Sequence, residues 1–130
     1  MRYIFAPFLI LFILTGCHKK DCTSIGPVAI VNAMIPDTVL NQQNVPLRIK
    51  AIGASLCWSD LYVELKEEAP LQYSLNAFGT FTCCDGFCAC PTSVIYKDTT
   101  VYFKPSQPGT YLFLISYSIN NVDIDTMIVK

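Results

Sequence analysis

From Val28 onward the chain alternates apolar and polar residues in short runs, and a period of two commits it to strands rather than helices. Val28 and Ile30, then Ala33 and Ile35, form the first run, stopped by Pro36-Asp37. Leu47, Ile49 and Ala51 alternate with Arg48 and Lys50 behind Pro46, a residue tolerated at a strand's start. Leu61, Val63 and Leu65 follow, and Glu67-Glu68-Ala69-Pro70 turns the chain into Leu71, Tyr73, Leu75 and Ala77. Val101 and Phe103 lead to the turn Pro105-Ser106-Gln107-Pro108-Gly109, after which Tyr111, Phe113, Ile115 and Tyr117 alternate. Asn120-Asn121 reads as a tight hairpin, followed by Val122, Ile124 and Ile128, with Asp123 and Asp125 facing out. Seven strands without a helical period or an internal repeat predict an all-β domain. An antiparallel β-sandwich is the simplest arrangement, because two sheets then cover each other's apolar faces.

The first residues have a different pattern. Met1-Arg2 supplies a positive charge, and Tyr3 to Leu14 is apolar apart from the break at Pro7. That run falls short of the roughly 20 residues a membrane-spanning helix needs, but it suits a cleaved export signal. It ends in Leu14-Thr15-Gly16-Cys17, which resembles the lipobox of bacterial lipoproteins. The resemblance implies that the Cys17 thiol takes a diacylglyceryl group and that the chain is cut just before it. The expected organisation is a signal peptide over 1–16, a lipidated tether over 17–27 and one β domain over 28–130. Residue 18 is His rather than Asp, so the resemblance implies an outer-membrane destination in a Gram-negative cell. Lys19-Lys20 can touch anionic headgroups. One acyl chain binds a membrane only marginally, and the multiple acylation of such lipoproteins meets that need. After loss of Arg2, eight basic residues stand against ten acidic ones, with no clustered basic face to bind nucleic acid.

With Cys17 assigned to lipid, six of the seven cysteines remain: Cys22, Cys57, Cys83, Cys84, Cys88 and Cys90. An even set in an exported chain reads as three disulfides. Four of them lie in Cys83-Cys84-Asp85-Gly86-Phe87-Cys88-Ala89-Cys90, where Asp85-Gly86 is a type I′ hairpin signal. A two-residue loop sets Cys83 opposite Cys88, whereas a three-residue loop sets Cys84 opposite Cys88. One bond staples the hairpin in either case, and a bond from Cys57 into the patch closes a loop of about 30 residues. Six cysteines allow 15 pairings; setting aside the strained Cys83–Cys84 and Cys88–Cys90 bonds leaves about ten, and connectivity stays open among them. A zinc site is the alternative, but the spacing C-C-x3-C-x-C departs from the usual metal pairing. No C-x-x-C pair suggests redox chemistry.

Pro108-Gly109-Thr110-Tyr111-Leu112-Phe113 carries a second resemblance, to the start of the penultimate strand of immunoglobulin-like and fibronectin-like domains. There the tyrosine hydroxyl bonds back to the backbone at a corner. The resemblance implies an Ig-like sandwich. Phe113 stands where antibody domains have their second core cysteine, which makes the disulfides peripheral.

No catalytic set is expected. His18 is the only histidine and belongs to the tether, Glu67-Glu68 reads as solvated surface, and neither a serine nucleophile motif nor a Gly-rich phosphate loop is present. No cofactor or metal is implied. Trp58, Phe81 and Phe87, with Phe78, are the candidate ligand contacts, either as an exposed aromatic platform or as a mini-core over the disulfides. Asp37-Thr38-Val39, Asp98-Thr99-Thr100 and Asp125-Thr126-Met127 resemble acceptor sites of periplasmic O-glycosylation. The leading expectation is a lipid-anchored binding or structural module that presents its stiffened patch to an envelope protein. An accessory carbohydrate-binding lipoprotein, taking a polysaccharide partner, is the alternative.

Overall fold

The computed structural model describes residues 22–83, 88–118 and 120–130. Eight strands follow one another without a helix among the described residues: β1 (Thr23–Met34), β2 (Thr38–Val39), β3 (Val45–Gly53), β4 (Trp58–Ala69), β5 (Gln72–Thr82), β6 (Ile95–Phe103), β7 (Gly109–Ser118) and β8 (Asn121–Val129). They form a curled, half-barrel sheet in the order β2-β8-β7-β5-β1-β3-β6, with β4 on the other edge of β5. Residues 1–21, with the expected signal peptide, Cys17 and His18 among them, lie outside the described residues.

The sheet is mixed rather than antiparallel. β5 runs parallel to β7, and β2 runs parallel to β8. Parallel neighbours need a crossover between them. The chain leaves β5 through the cysteine patch, runs along β3 as β6, and returns beside β5 as β7. A period of two reports strands but not the direction of their neighbours.

β1 departs from the expected tether. It begins at Thr23, and residues 23–28 pair with β5 while residues 29–34 pair with β3. Gly26-Pro27 therefore lies within a strand, close to where that strand changes partners. A proline lacks a ladder donor, but it is tolerated where one edge of the strand is unpaired. The slip from Val28 and Ile30 to Ala33 and Ile35 is a β-bulge between Ile30 and Asn32.

The curl is closed by aromatic packing. Phe103 of β6 meets Tyr73 of β5 at 4.9 Å between ring centroids, and both Tyr111 and Phe113 of β7 at 5.4 Å. These edge-to-face contacts bring one end of the strand order over its middle. Leu47, Ile49 and Ala51 of β3, Leu75 and Ala77 of β5, and Met127 and Val129 of β8 complete the buried core.

β8 differs from expectation. Met127 and Val129 point inward, while Val122, Ile124 and Ile128 are exposed. Both faces of this strand carry apolar residues, so its alternation has two solutions. Pairing selects one of them: Met127 lies opposite buried Tyr111, and Val129 lies beside buried Val39.

Two turns fix the corners. Pro70 and Leu71 join β4 to β5, with Leu71 at a φ of 63° and its carbonyl accepting the Leu112 amide at 2.8 Å. At the other corner the Tyr111 hydroxyl donates to the Gln107 carbonyl at 3.0 Å and accepts the Gln107 amide at 3.3 Å. Tyr111 is 1% exposed, and a phenylalanine there removes both bonds at this corner. Tyr111→Phe is expected to cost about 1–2 kcal/mol in urea unfolding.

Candidate functional site

The described structure has one prominent apolar recess, and it arises from the way β5 is shared. Gln72 to Leu75 pair with β7, and Ala77 to Thr82 pair with β1. Asn76 stands between the two, where the sheet forks. β1 itself changes from β5 to β3 between Val28 and Ala29. The two changes of partner open a cleft of about 670 Å³, within the range of small-molecule sites. Val28, Ala29, Ile52, Ala54, Trp58 and Val94 give it an apolar lining, and Asn76, Ser116, Ser118 and Asn120 give it neutral polar groups, with Asn76 and Ser116 joined across the fork. Among the described residues, no charged side chain lines it.

Hydrogen bonds order these polar groups. Ser116 Oγ donates to Asn76 Oδ1 at 2.7 Å across the fork. Asn76 Nδ2 donates to Ser74 Oγ at 3.3 Å, and Ser74 Oγ donates to Glu68 Oε1 at 2.7 Å. The Ser74 hydroxyl, followed by the Lys66 ammonium, holds the Glu68 carboxyl below its ordinary pKa. Away from the cleft, burial raises the Tyr73 phenol, with Glu67 adding to the shift. Among the described residues, no group of three or more His, Cys, Asp or Glu is arranged to hold a metal ion.

Trp58 is seated by glycines on three other strands. A Cβ at Gly26 would lie 3.2 Å from the indole, and one at Gly79 would lie 3.1 Å from it. At Gly53 a Cβ would fall 2.7 Å from Trp58 Cβ and 2.9 Å from Ile95 Cγ1. Gly53→Ala is therefore expected to overpack this joint and lower stability by about 1–3 kcal/mol, read as a shift of the urea midpoint.

The candidate aromatics are only partly brought together. Trp58 and Phe81 lie 5.1 Å apart at 54°, both half-buried, and of the two Trp58 lines the cleft. Phe78 also lines the cleft and stacks on Tyr62 at 5.6 Å. Phe87 lies outside the described residues.

The cysteines stiffen the same end of the molecule. Cys57 is bonded to Cys90 and Cys83 to Cys88, each with Cα atoms 5.5 Å apart. The first bond joins the residue before Trp58 to the loop that carries Val94. Leu56 reinforces that joint, its amide donating to the Pro91 carbonyl at 3.2 Å. The Cys22 carbonyl accepts the Cys83 amide at 3.1 Å, which brings the start of β1 beside the patch. Cys84 lies outside the described residues. Of the Asp-Thr sites, Thr38 and Thr126 are exposed and Thr99 is half-buried.

Sequence patterns did not point to the fork. The available signals were the polar residues Ser74, Asn76, Ser116 and Ser118 on the faces opposite the core of β5 and β7, and the single tryptophan among scattered glycines. Comparisons with protein-family models, curated proteins and solved structures return no match to this chain.

Proposed function

We propose that the protein is a lipid-anchored, non-catalytic binding module of the cell envelope, and that the fork cleft beside Trp58 is its binding site. The observation that carries the reading is the cleft, a recess of about 670 Å³. Such a recess offers surface to a ligand, with apolar side chains and neutral hydrogen-bonding groups among its described lining residues. The immunoglobulin-like reading draws support from the Tyr111 corner. The carbohydrate reading has less support, because the Trp58 and Phe81 rings are tilted and half-buried rather than coplanar and open.

The anchor reading rests on the Leu14-Thr15-Gly16-Cys17 motif, and it fits a β1 that starts only six residues after Cys17. A third disulfide belongs to the same reading. With Cys57–Cys90 and Cys83–Cys88 formed, an oxidised set of six leaves one pairing, Cys22 with Cys84. Non-reducing peptide mapping is expected to recover that bond, and recovery of two alkylated thiols would refute it. The mass of native protein reads the anchor directly: a diacylated Cys17 amino terminus supports it, and an intact Met1 overturns it.

Site-directed photo-crosslinking in intact envelopes tests the binding reading, with the crosslinker placed at Val94. An adduct abolished by Ala54→Phe, which adds a ring at an exposed lining position of the cleft, is the expected result. An adduct indifferent to that substitution, or no adduct at all, overturns the cleft as the site.

A further inference from the structure

We infer that the cleft takes the acyl chain of a neutral lipid, an inference that rests on the cleft being the binding site. Three features of the recess set the ligand's chemistry. Val28, Ile52, Ala54 and Val94 line it with aliphatic groups and Trp58 adds an aromatic one, so most of the ligand's length is apolar. Asn76 and Ser116 bring hydrogen-bonding groups together across the fork, so the ligand carries its polar atoms at one end. The Ser116–Asn76 bond uses one lone pair of the amide oxygen and leaves another, together with the second Asn76 N–H, for an ester, amide or hydroxyl group. No charged side chain among the described residues lines the recess, so an ionised headgroup meets no counter-charge there and loses its hydration. An acylglycerol meets all three conditions.

Two sources supply that chemistry. One is a free or bilayer glycerolipid. The other is the lipid on this chain's own Cys17: six residue steps separate Cys17 from Thr23, a reach of about 20 Å when extended, and β1 then runs to the cleft at Val28 and Ala29.

Trp58, the only tryptophan, lines the cleft and serves as the probe. Mature chain carrying Cys17→Ser is titrated with a monoacylglycerol brominated along its acyl chain. Saturable quenching of Trp58 emission, reversed by the unbrominated lipid, is expected, with the ionised fatty acid of equal length binding about tenfold more weakly. Ala54→Phe, checked for an unchanged unfolding midpoint, is expected to abolish the saturable phase. Should that variant fail to fold, competition by unbrominated lipid on the Cys17→Ser chain decides alone. Quenching that rises linearly and is not reversed overturns the lipid assignment, as does equal binding of the fatty acid anion. If the Val94 crosslink in envelopes depends on an open cleft while quenching never saturates, the lipid class falls and the binding reading stands. If both fail, both fall. The natively lipidated protein separates the sources: resistance to added brominated lipid assigns the cleft to the chain's own acyl group, and quenching equal to that of the Cys17→Ser chain assigns it to external lipid.

Discussion

Exchanging Cys57 and Cys90 together for serine is expected to lower the unfolding free energy by about 3–4 kcal/mol, the chain-entropy value for the 33-residue separation this bond spans. A domain of ordinary stability has only about 5–15 kcal/mol in total, so the variant stands near its folding threshold. The expected effect on function is larger still. The bond fixes Trp58 relative to the loop that ends at Val94, and both line the cleft. Urea unfolding, followed by the emission of the single tryptophan, reads the stability change. Loss of the cleft-dependent crosslink at temperatures where the variant is still folded reads the change at the site. A midpoint within 0.5 M urea of the parent, about 1 kcal/mol at an ordinary slope, contradicts a stabilising contribution of this size from the Cys57–Cys90 bond.

Phe103→Ala is expected to cost about 3–5 kcal/mol, the usual range for removing a large buried ring. Phe103 is 4% exposed and touches Tyr73, Tyr111 and Phe113, which come from two strands it does not pair with. β6 is hydrogen-bonded along β3, its only ladder partner among the described residues. Its aromatic ring therefore holds one flank of the curl over the other. The variant is expected to unfold at lower urea and to protect β6 amides from hydrogen exchange less than those of β5. Val101→Ala, which removes a partly buried neighbour on the same strand, is expected to cost less than half as much. Equal costs at the two positions would mean that β6 is held by its ladder rather than by the ring.

The contrast between these positions also shows how much of the fold was legible. Leu47, Ile49 and Ala51 are buried in one unbroken alternation because only one face of β3 is apolar, and there the period decided the answer. β8 offered two apolar faces, and its neighbours Tyr111 and Val39 chose between them. β4 extends to Ala69 and carries Glu67 and Glu68 inside the strand, because the turn is made by Pro70 and Leu71 rather than by the acidic pair. The cleft was the least legible feature. It depends on two strands changing partners at Asn76 and at Val28, and no local pattern in either strand encodes a change of neighbour. Trp58 was named from the sequence as a ligand contact, but Asn76 and Ser116 became visible only once their strands lay side by side.

The parallel pairing of β2 with β8 has a kinetic consequence. Thr38 and Val39 meet Ile128 and Val129, and Lys130 exchanges backbone hydrogen bonds with Val39 and Asn41. Residues about 90 positions apart in sequence must find each other before this border of the sheet exists, and architectures with such high contact order fold in milliseconds to seconds. β2 therefore cannot take its place in the sheet before β8 is in place, so this border forms late in folding and its loss should be the first step of unfolding at that edge.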